Sequence, residues 1–457
     1  MHENKRTIFF SLEGSFTEDT EDVYHNPSEE ILKRLAWETL FEAPTFAFIP
    51  PLKDEQREAG VEIIEKFFAL QRGIRGVFGD VRDMGKKIIG NIMRNIRYLS
   101  TGYQFSSFAN EFKNVPAVIC GAGPSLEKGL SVLPELKERA LIFAGGSALN
   151  ALSHVSFTPH FSAAVDPDPP SHLFRQQISV EAPLFYQNRV AHRLLKECHS
   201  PRIWVPDNTS YPIEKWLMEE LNLTTHSFEA GWNVVTFSLQ VAVTLGCNPI
   251  ILTGVDLCHR EGKSYASGVA MPERSYDPIQ IEVGKETKPD FLLAADWIEE
   301  FVRAHPSTTF INASTGGILL EGLPFSTLQE IAQELPLLTQ DLDGIIFSTL
   351  QSANPLSADE KIENVLQKFK NNLAFCQGAI EKMVALFEKW YPEDPSSKGG
   401  FILLEVECEE NPIYQYFLQP LWNIWQWALC SKSPLSSHEI KLQKLLFFQR
   451  ALQLEIE

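Results

Sequence analysis

The run Ala117–Leu126, AVICGAGPSL, sets four apolar or small residues directly before two glycines, a proline and a serine. A short apolar strand without polar alternation is one covered on both faces, as in a parallel sheet. The turn that follows it presents backbone N–H groups suited to an anion. Working outward, strand-length apolar runs recur at 140–144 (ALIFA), 161–165 (FSAAV), 182–186 (APLFY), 202–205 (RIWV), 249–253 (PIILT) and 309–312 (TFIN). Helical segments such as LEKGLSVLPELKER and WNVVTFSLQVAVTLG lie between several of them. The alternation predicts a doubly wound α/β domain with a mostly parallel sheet.

On either side the pattern changes. SEEILKRLAWETLF opens at Ser28, an N-cap residue, and DEQREAGVEIIEKFFALQRGI and GKKIIGNIMRNIRYLS read as a second and a third helix. Beyond Leu335, helix periodicity returns: Ser357 with Glu360 reads as a capping box, and further helices are expected near 411–430 and 437–455. The expected organisation is a helical region over 1–112, the α/β domain over 113–330 and a helical domain over 331–457. This division suits a chain of 457 residues, too long for one ordinary core.

Lys and Arg total 40 against 59 Asp and Glu, a formal charge of −19. That balance argues against an electrostatic grip on nucleic acid or an anionic membrane, while leaving room for a local basic pocket that binds a small phosphate. Seven cysteines lie far apart without a CxxC pair, as buried reduced thiols do. The N-terminus MHENKRTIFFSLEGSF lacks the apolar core of a signal peptide, and no run approaches the roughly 20 apolar residues of a membrane span. A cytoplasmic location is expected.

Ligands of parallel sheets sit beyond the carboxyl ends of the strands. Here those ends carry Gly121-Ala122-Gly123-Pro124-Ser125, then Gly145 and Gly146, Asp166, Gln187 and Asn188, Asp207 and Asn208, Gly254 and Asp256, and Asn312 before Thr315-Gly316-Gly317. Together they predict a polar cleft. GAGPSL is not a P-loop, because GK[ST] is missing, and Leu126 stands where a dinucleotide fingerprint needs its last glycine. Pro124 suits a first helical position and Ser125 can point a hydroxyl and an N–H at an anion. Asp166-Pro167-Asp168 matches the DxD by which sugar-nucleotide enzymes hold a divalent cation, and equally an ordinary turn. His160, His172, His192 and His259 have no zinc spacing.

Four blocks, NVPAVICGAGPSLEKGLSVL, GGSALNALSHVSFTPHFSAAVD, GWNVVTFSLQVAVTLGCNPIILTGVDL and INASTGGILLEGLPF, resemble in order those of the motility accessory factor (Maf) glycosyltransferases. That family shares its central DUF115, or MptE-like, domain with archaeal 6-hydroxymethylpterin diphosphokinases. The resemblance covers about 111–325. It implies a Rossmann-like, sialyltransferase-like fold and transfer of a nonulosonic acid from a CMP donor to Ser or Thr of a protein, with no metal required. It also implies that Gly121, Gly123, Pro124 and Ser125 face the nucleotide phosphate, that Asp166 sits in the nucleotide cleft with Asn188 nearby, that Asp256 lies at the reacting end and that Asn312, Thr315, Gly316 and Gly317 close the site. Gly145 and Gly146, by their place after a strand, join the expected nucleotide site, and His259 is a second candidate for the base beside Asp256.

Two departures from the family pattern are His160, where Asp is common, and the GVDLCHREGKSYASG block, with Val255 and Tyr265 where Gln and His are common. His259 stands as the substitute for the missing histidine, or as a surface loop residue. Two alternatives accompany the transferase: a Mg-ATP diphosphokinase, with Asp166 and Asp168 on magnesium, and a degenerate scaffold. The run LWNIWQWALC, with Trp422, Trp425 and Trp427, reads as core or as a homo-oligomer interface.

Overall fold

A computed structural model of the chain describes residues 6–12, 23–42, 44–169, 181–207, 211–223, 228, 232–260, 265–267, 269, 279–353, 356–389, 395–430 and 436–452. His172 and Asn208, and the side chains of Trp427 and Cys430, lie outside the described residues. The chain forms two compact units, Met1–Asp83 with Leu373–Gln453, and Met84–Asn372. These limits do not coincide with the boundaries near 112 and 330 expected from periodicity. They fall inside two long helices, Arg57–Asn95 and Asp359–Lys389.

The second unit is built on one sheet of eight strands, numbered along the chain: β1 (Tyr103–Gln104), β2 (Ala117–Cys120), β3 (Leu141–Gly145), β4 (Phe161–Ala164), β5 (Leu184–Tyr186), β6 (Arg202–Trp204), β7 (Ile250–Thr253) and β8 (Phe310–Asn312). Their order is β8-β7-β2-β3-β4-β5-β6-β1, and every neighbouring pair is parallel. The fold is α/β and doubly wound, as the apolar runs predict. Order reverses at β2: the chain adds β3 to β6 on one side and returns to lay β7 on the other, which makes the β2/β7 end the switch point where such sheets bind ligands.

The lack of alternation in AVIC has a direct cause. Ala117 and Ile119 belong to the core on one face with Phe143, Phe161, Phe185, Phe237 and Leu252, whereas Val118 and Cys120 belong to the other with Ile142, Ala144, Leu149 and Ile251. Period 2 is present, but both faces are covered, so both must be apolar. Across β3, β4 and β5 the rings of Phe143, Phe161 and Phe185 pack in sequence, the first pair stacked and the second tilted, with centroids 5.3 and 4.8 Å apart. A separate antiparallel sheet of His259–Arg260, Lys285–Thr287 and Ile279–Glu282 follows β7.

The first unit is less purely helical than the sequence suggests. Thr7–Ser11 pairs in parallel with Val23–His25 and Thr45–Phe48, and its Ile8 and Phe10 are buried with Leu32, Leu35 and Phe67. Strands of three to five residues are too short to show a period. Ser28 does cap Glu29–Glu38, accepting a hydrogen bond from Ile31 N. The helices expected as second and third are one helix, Arg57–Asn95, which carries Gly73, Gly79 and Gly90 without a break. Ser357 Oγ makes no hydrogen bond among the described residues, so the expected capping box does not form there. Among the described residues no helix is long and apolar enough to cross a membrane.

Candidate functional site

At the switch point the glycine turn after β2 and the turn after β7 pack backbone to backbone. Gly121 N donates to Thr253 O and Gly123 N to Gly254 O, each at 2.8 Å. A Cβ on Gly121 would stand 2.3 Å from Gly254 O, and one on Gly123 would stand 2.5 Å from Asp256 Oδ2. Gly254 has φ +68°, a left-handed conformation that glycine adopts at no steric cost. The close approach lets Asp256, only 2% exposed, place Oδ2 2.8 Å from Ser125 N.

The anion held by the GAGPSL turn is therefore Asp256 itself. The N–H groups of Gly121, Gly123 and Ser125, expected to face a phosphate, all bond within the protein. Pro124 has no N–H, and the short helix after the turn starts at Leu126. Ser125 Oγ, buried and without a partner among the described residues, is the polar group the turn still offers.

The segment after β8 closes over the same point. Val255 N donates to Ser314 Oγ, Ser314 N to Asn312 Oδ1 and Ile318 N to Asp256 O, all at 2.9 Å. A Cβ on Gly317 would meet Asp256 O at 2.6 Å, while Gly316 takes φ +83°. Thus Asn312, Thr315, Gly316 and Gly317 share one loop wrapped around Asp256. Ala266 N bonds to Ala122 O, and Ser267 holds Glu127 through both its N–H and its hydroxyl. His259 is on a strand and 4% exposed, its ring 5.5 Å from Phe291, rather than on a surface loop.

The other predicted residues follow β3, β4 and β5. Gly145 makes room for Val234, whose Cγ2 would be 2.3 Å from an added Cβ, at the start of the helix Val234–Thr244; Gly146 takes φ +52°. Asp166 Oδ1 accepts the Asp168 N–H at 2.9 Å. Its side chain keeps an accessible face but is crowded by protein, and that desolvation raises its pKa against the opposing pull of the Asp168 amide. Asp168 is ion-paired with Lys87. The DxD thus forms an Asx turn and a salt bridge. Asn188, fully buried, donates from Nδ2 to Glu214 Oε1 at 2.9 Å. Burial first, and the charge of Asp207 second, push Glu214 up to about 8, so it is mainly a neutral acid near pH 7.

His160 accepts a hydrogen bond from Ile142 N on Nδ1, at 3.0 Å. Burial depresses its pKa to about 4, so the ring is neutral and acts as a backbone acceptor. A carboxylate at this position would be able to accept the same bond, which gives the departure from Asp a structural reading.

Sequence reasoning assigned no role to the helix face carrying Lys87, Asn91, Arg94 and Asn95. Asn91 Nδ2 donates to Pro167 O and Arg189 O, and Asn95 Nδ2 to Asn188 O and Val190 O, at 2.7–3.0 Å. The two asparagines brace the loops after β4 and β5. Asn95 Oδ1 lies 3.0 Å from His192 Nδ1. Because the Asn95 amide nitrogen already donates twice, its oxygen accepts, and His192 carries its proton on Nδ1. The available signal was two asparagines at i, i+4 on a helix of otherwise apolar periodicity, since buried amides need partners.

Residues 90–262 match the family described as 6-hydroxymethylpterin diphosphokinase MptE-like. Among solved structures, the chain is similar to the Maf glycosyltransferase from Magnetospirillum magneticum AMB-1, at 14% identity and a TM-score of 0.56. That likeness covers 94% of this chain and 67% of the other. No curated protein matches the chain. Residues 90–262 thus resemble an MptE-like domain, within a chain whose fold is similar to that of a Maf glycosyltransferase.

Proposed function

We propose that the protein is a glycosyltransferase that moves a nonulosonic, sialic-acid-like sugar from a CMP donor to a Ser or Thr hydroxyl of a protein acceptor. The observation that carries this reading is the extent of the likeness: it runs over 94% of the chain, far beyond the 90–262 domain shared with pterin diphosphokinases. The regions outside that domain therefore have counterparts in a transferase.

In the proposed reaction the bond from the anomeric carbon to the CMP phosphate breaks and a bond to the acceptor oxygen forms. CMP leaves with the bonding electrons, and the hydroxyl proton passes to a base. Charge builds on the phosphate and positive character on the sugar ring, so the site must hold the first and tolerate the second. Asp256 is the base in this scheme, and the support for it is its place at the switch point, where the Ser125 amide holds its Oδ2. His259 is the second candidate. The nucleoside lies near Ser125 Oγ and the turn at 145–146, beside Asp166 and Asn188, with its phosphate clear of the bonded amides of 121–125, and the loop with Asn312, Thr315, Gly316 and Gly317 closes the reacting end. A departing monophosphate is chemically able to leave without a metal, so the proposal carries no metal requirement.

The test follows label from a CMP-nonulosonate into a pool of cellular proteins, in chelator, with wild-type protein and Asp256→Asn. Asparagine keeps an acceptor for the Ser125 amide, so the variant should fold and bind CMP but transfer nothing. Normal transfer by the variant would remove Asp256 from the role. No transfer by the wild type, together with magnesium-dependent consumption of ATP, would replace the transferase with a diphosphokinase.

A further inference from the structure

A cavity of about 490 Å³ opens beside the loops that follow β4 and β5. It is lined by Lys86, Lys87, Arg94 and Arg193, with His192 and Asn91 among them and Asp168 as its single acid. Four cations around one carboxylate is an unusual concentration in a chain of net charge −19. Asp168 is matched by Lys87, and Arg193 donates to Pro169 O. Neither the Arg94 guanidinium nor the Lys86 ammonium has a hydrogen-bond or ion-pair partner among the described residues.

The electrostatics agree with the geometry. His192 is held below its usual pKa by partial burial and then by the charges of Arg94, Lys196 and Arg97, so the ring senses a positive field. The cavity floor is also rigid, because the Asn91 and Asn95 amides hold the flanking loops by their carbonyls. A half-buried guanidinium without a protein partner is suited to an oxyanion, which it grips with two parallel N–H bonds.

We propose that this cavity is an anion subsite, with Arg94 as its central ligand, and that it takes an oxyanion group of the substrate, phosphate or carboxylate, in place of the GAGPSL turn. Those turn amides are already bonded to Thr253, Gly254 and Asp256, whereas the cavity's cations exceed its acid. The strands β2 and β4 to β5 are two and three positions apart, so the cavity lies roughly 10–15 Å along the sheet edge from the switch point. One extended donor can span that distance. Only the identity of the anion rests on the transferase reading; the subsite itself does not.

The test titrates the full chain with inorganic phosphate, CMP and N-acetylneuraminate, comparing wild type with Arg94→Gln, Arg94→Lys and, as an exposed-cation control, Lys370→Gln. The proposal expects Arg94→Gln to weaken the bound anion about 10- to 100-fold, with partial recovery in Arg94→Lys and no change in the control. Unliganded thermal stability should be unaltered in all of them. Phosphate and CMP responding together assigns the cavity to a phosphate, and N-acetylneuraminate responding alone assigns it to the sugar carboxylate. Binding of no anion by the wild type, or equal binding by Arg94→Gln, overturns the subsite. Failure of the transferase reading shows separately, as phosphate binding that depends on Arg94 without turnover of any CMP-sugar.

Discussion

At the β2/β7 end of the sheet edge, the buried carboxylate of Asp256 meets the Ser125 amide, two glycines leave no space for a Cβ, and three turn amides are bonded within the chain. At the β4/β5 end, Arg94 and Lys86 face a cavity that supplies them with no partner, and only Asp168 opposes the positive charge. One region has satisfied its turn amides, and the other leaves two cations without a partner among the described residues. Bonded amides hold the Asp256 carboxyl in one place and leave no open anion seat, whereas cations without a partner keep a place for a charge that the chain does not provide. A ligand spanning both would find its grip at one and its chemistry at the other.

The largest expected effects break the tight region. Gly123→Ala drives a Cβ to within 2.5 Å of Asp256 Oδ2 and 2.8 Å of Gly254 O, so denaturant unfolding should show a loss of about 1–3 kcal/mol. An unchanged midpoint would mean that the two turns are looser than described. On the cavity side, Asn95→Ala strands the carbonyls of Asn188 and Val190 and the His192 Nδ1–H, with an expected loss of about 1–3 kcal/mol and weaker phosphate binding. Normal stability would show that the loops do not depend on this brace.

Glu214 gives a pH signature. Its folded pKa, about 8, lies above the value of an exposed glutamate, so its contribution to stability is full below about pH 4.5 and is lost as pH rises through about 8. Glu214→Gln, which mimics the neutral acid, should therefore gain on the wild type from about pH 5 to about pH 8 in thermal unfolding and level off above that. Parallel curves would show that the carboxyl is not buried as an acid. His160 works in the opposite direction: with its folded pKa depressed to about 4, its contribution is present above about pH 6.5 and is lost as pH falls through 4.

The smallest effects sharpen the contrast. Gly90 lines the open cavity, and an added Cβ there has nothing nearer than Arg94 Nη1 at 3.7 Å, so Gly90→Ala should stabilise the helix by roughly 0.5–1 kcal/mol, opposite in sign to Gly123→Ala. Asp168→Asn removes the cavity's acid. Exposed ion pairs contribute about 0–1 kcal/mol, so stability should hardly change while phosphate affinity rises about two- to fivefold. A fall in affinity would place Asp168 among the ligands instead.

The central sheet was legible because both of its faces are covered: runs such as AVIC and PIILT had no other use for so many apolar residues. The turns that follow them were legible for the same reason, since glycine and aspartate stand out against that background. What those turns do was not. Asp256 and Ser125 are 131 positions apart, and no pattern within either stretch says that one carboxylate occupies the anion seat made by the other. The cavity was hidden for the same physical reason, because Lys87 and Arg94 come from a helix that reads as a plain amphipathic segment, Asp168 from the loop after β4 and His192 from the start of the helix His192–Glu197. The strands Thr7–Ser11 and Thr45–Phe48 were missed because so few residues carry no measurable period.

The most direct test of the contrast is a crystal structure of the full chain with CMP-N-acetylneuraminate bound. The account predicts the phosphate or the sugar carboxylate within hydrogen-bond reach of the Arg94 guanidinium, with Asp256 Oδ2 still on the Ser125 amide. A phosphate seated on the 121–125 turn, with Asp256 displaced from it and the cavity at Arg94 empty, would contradict it.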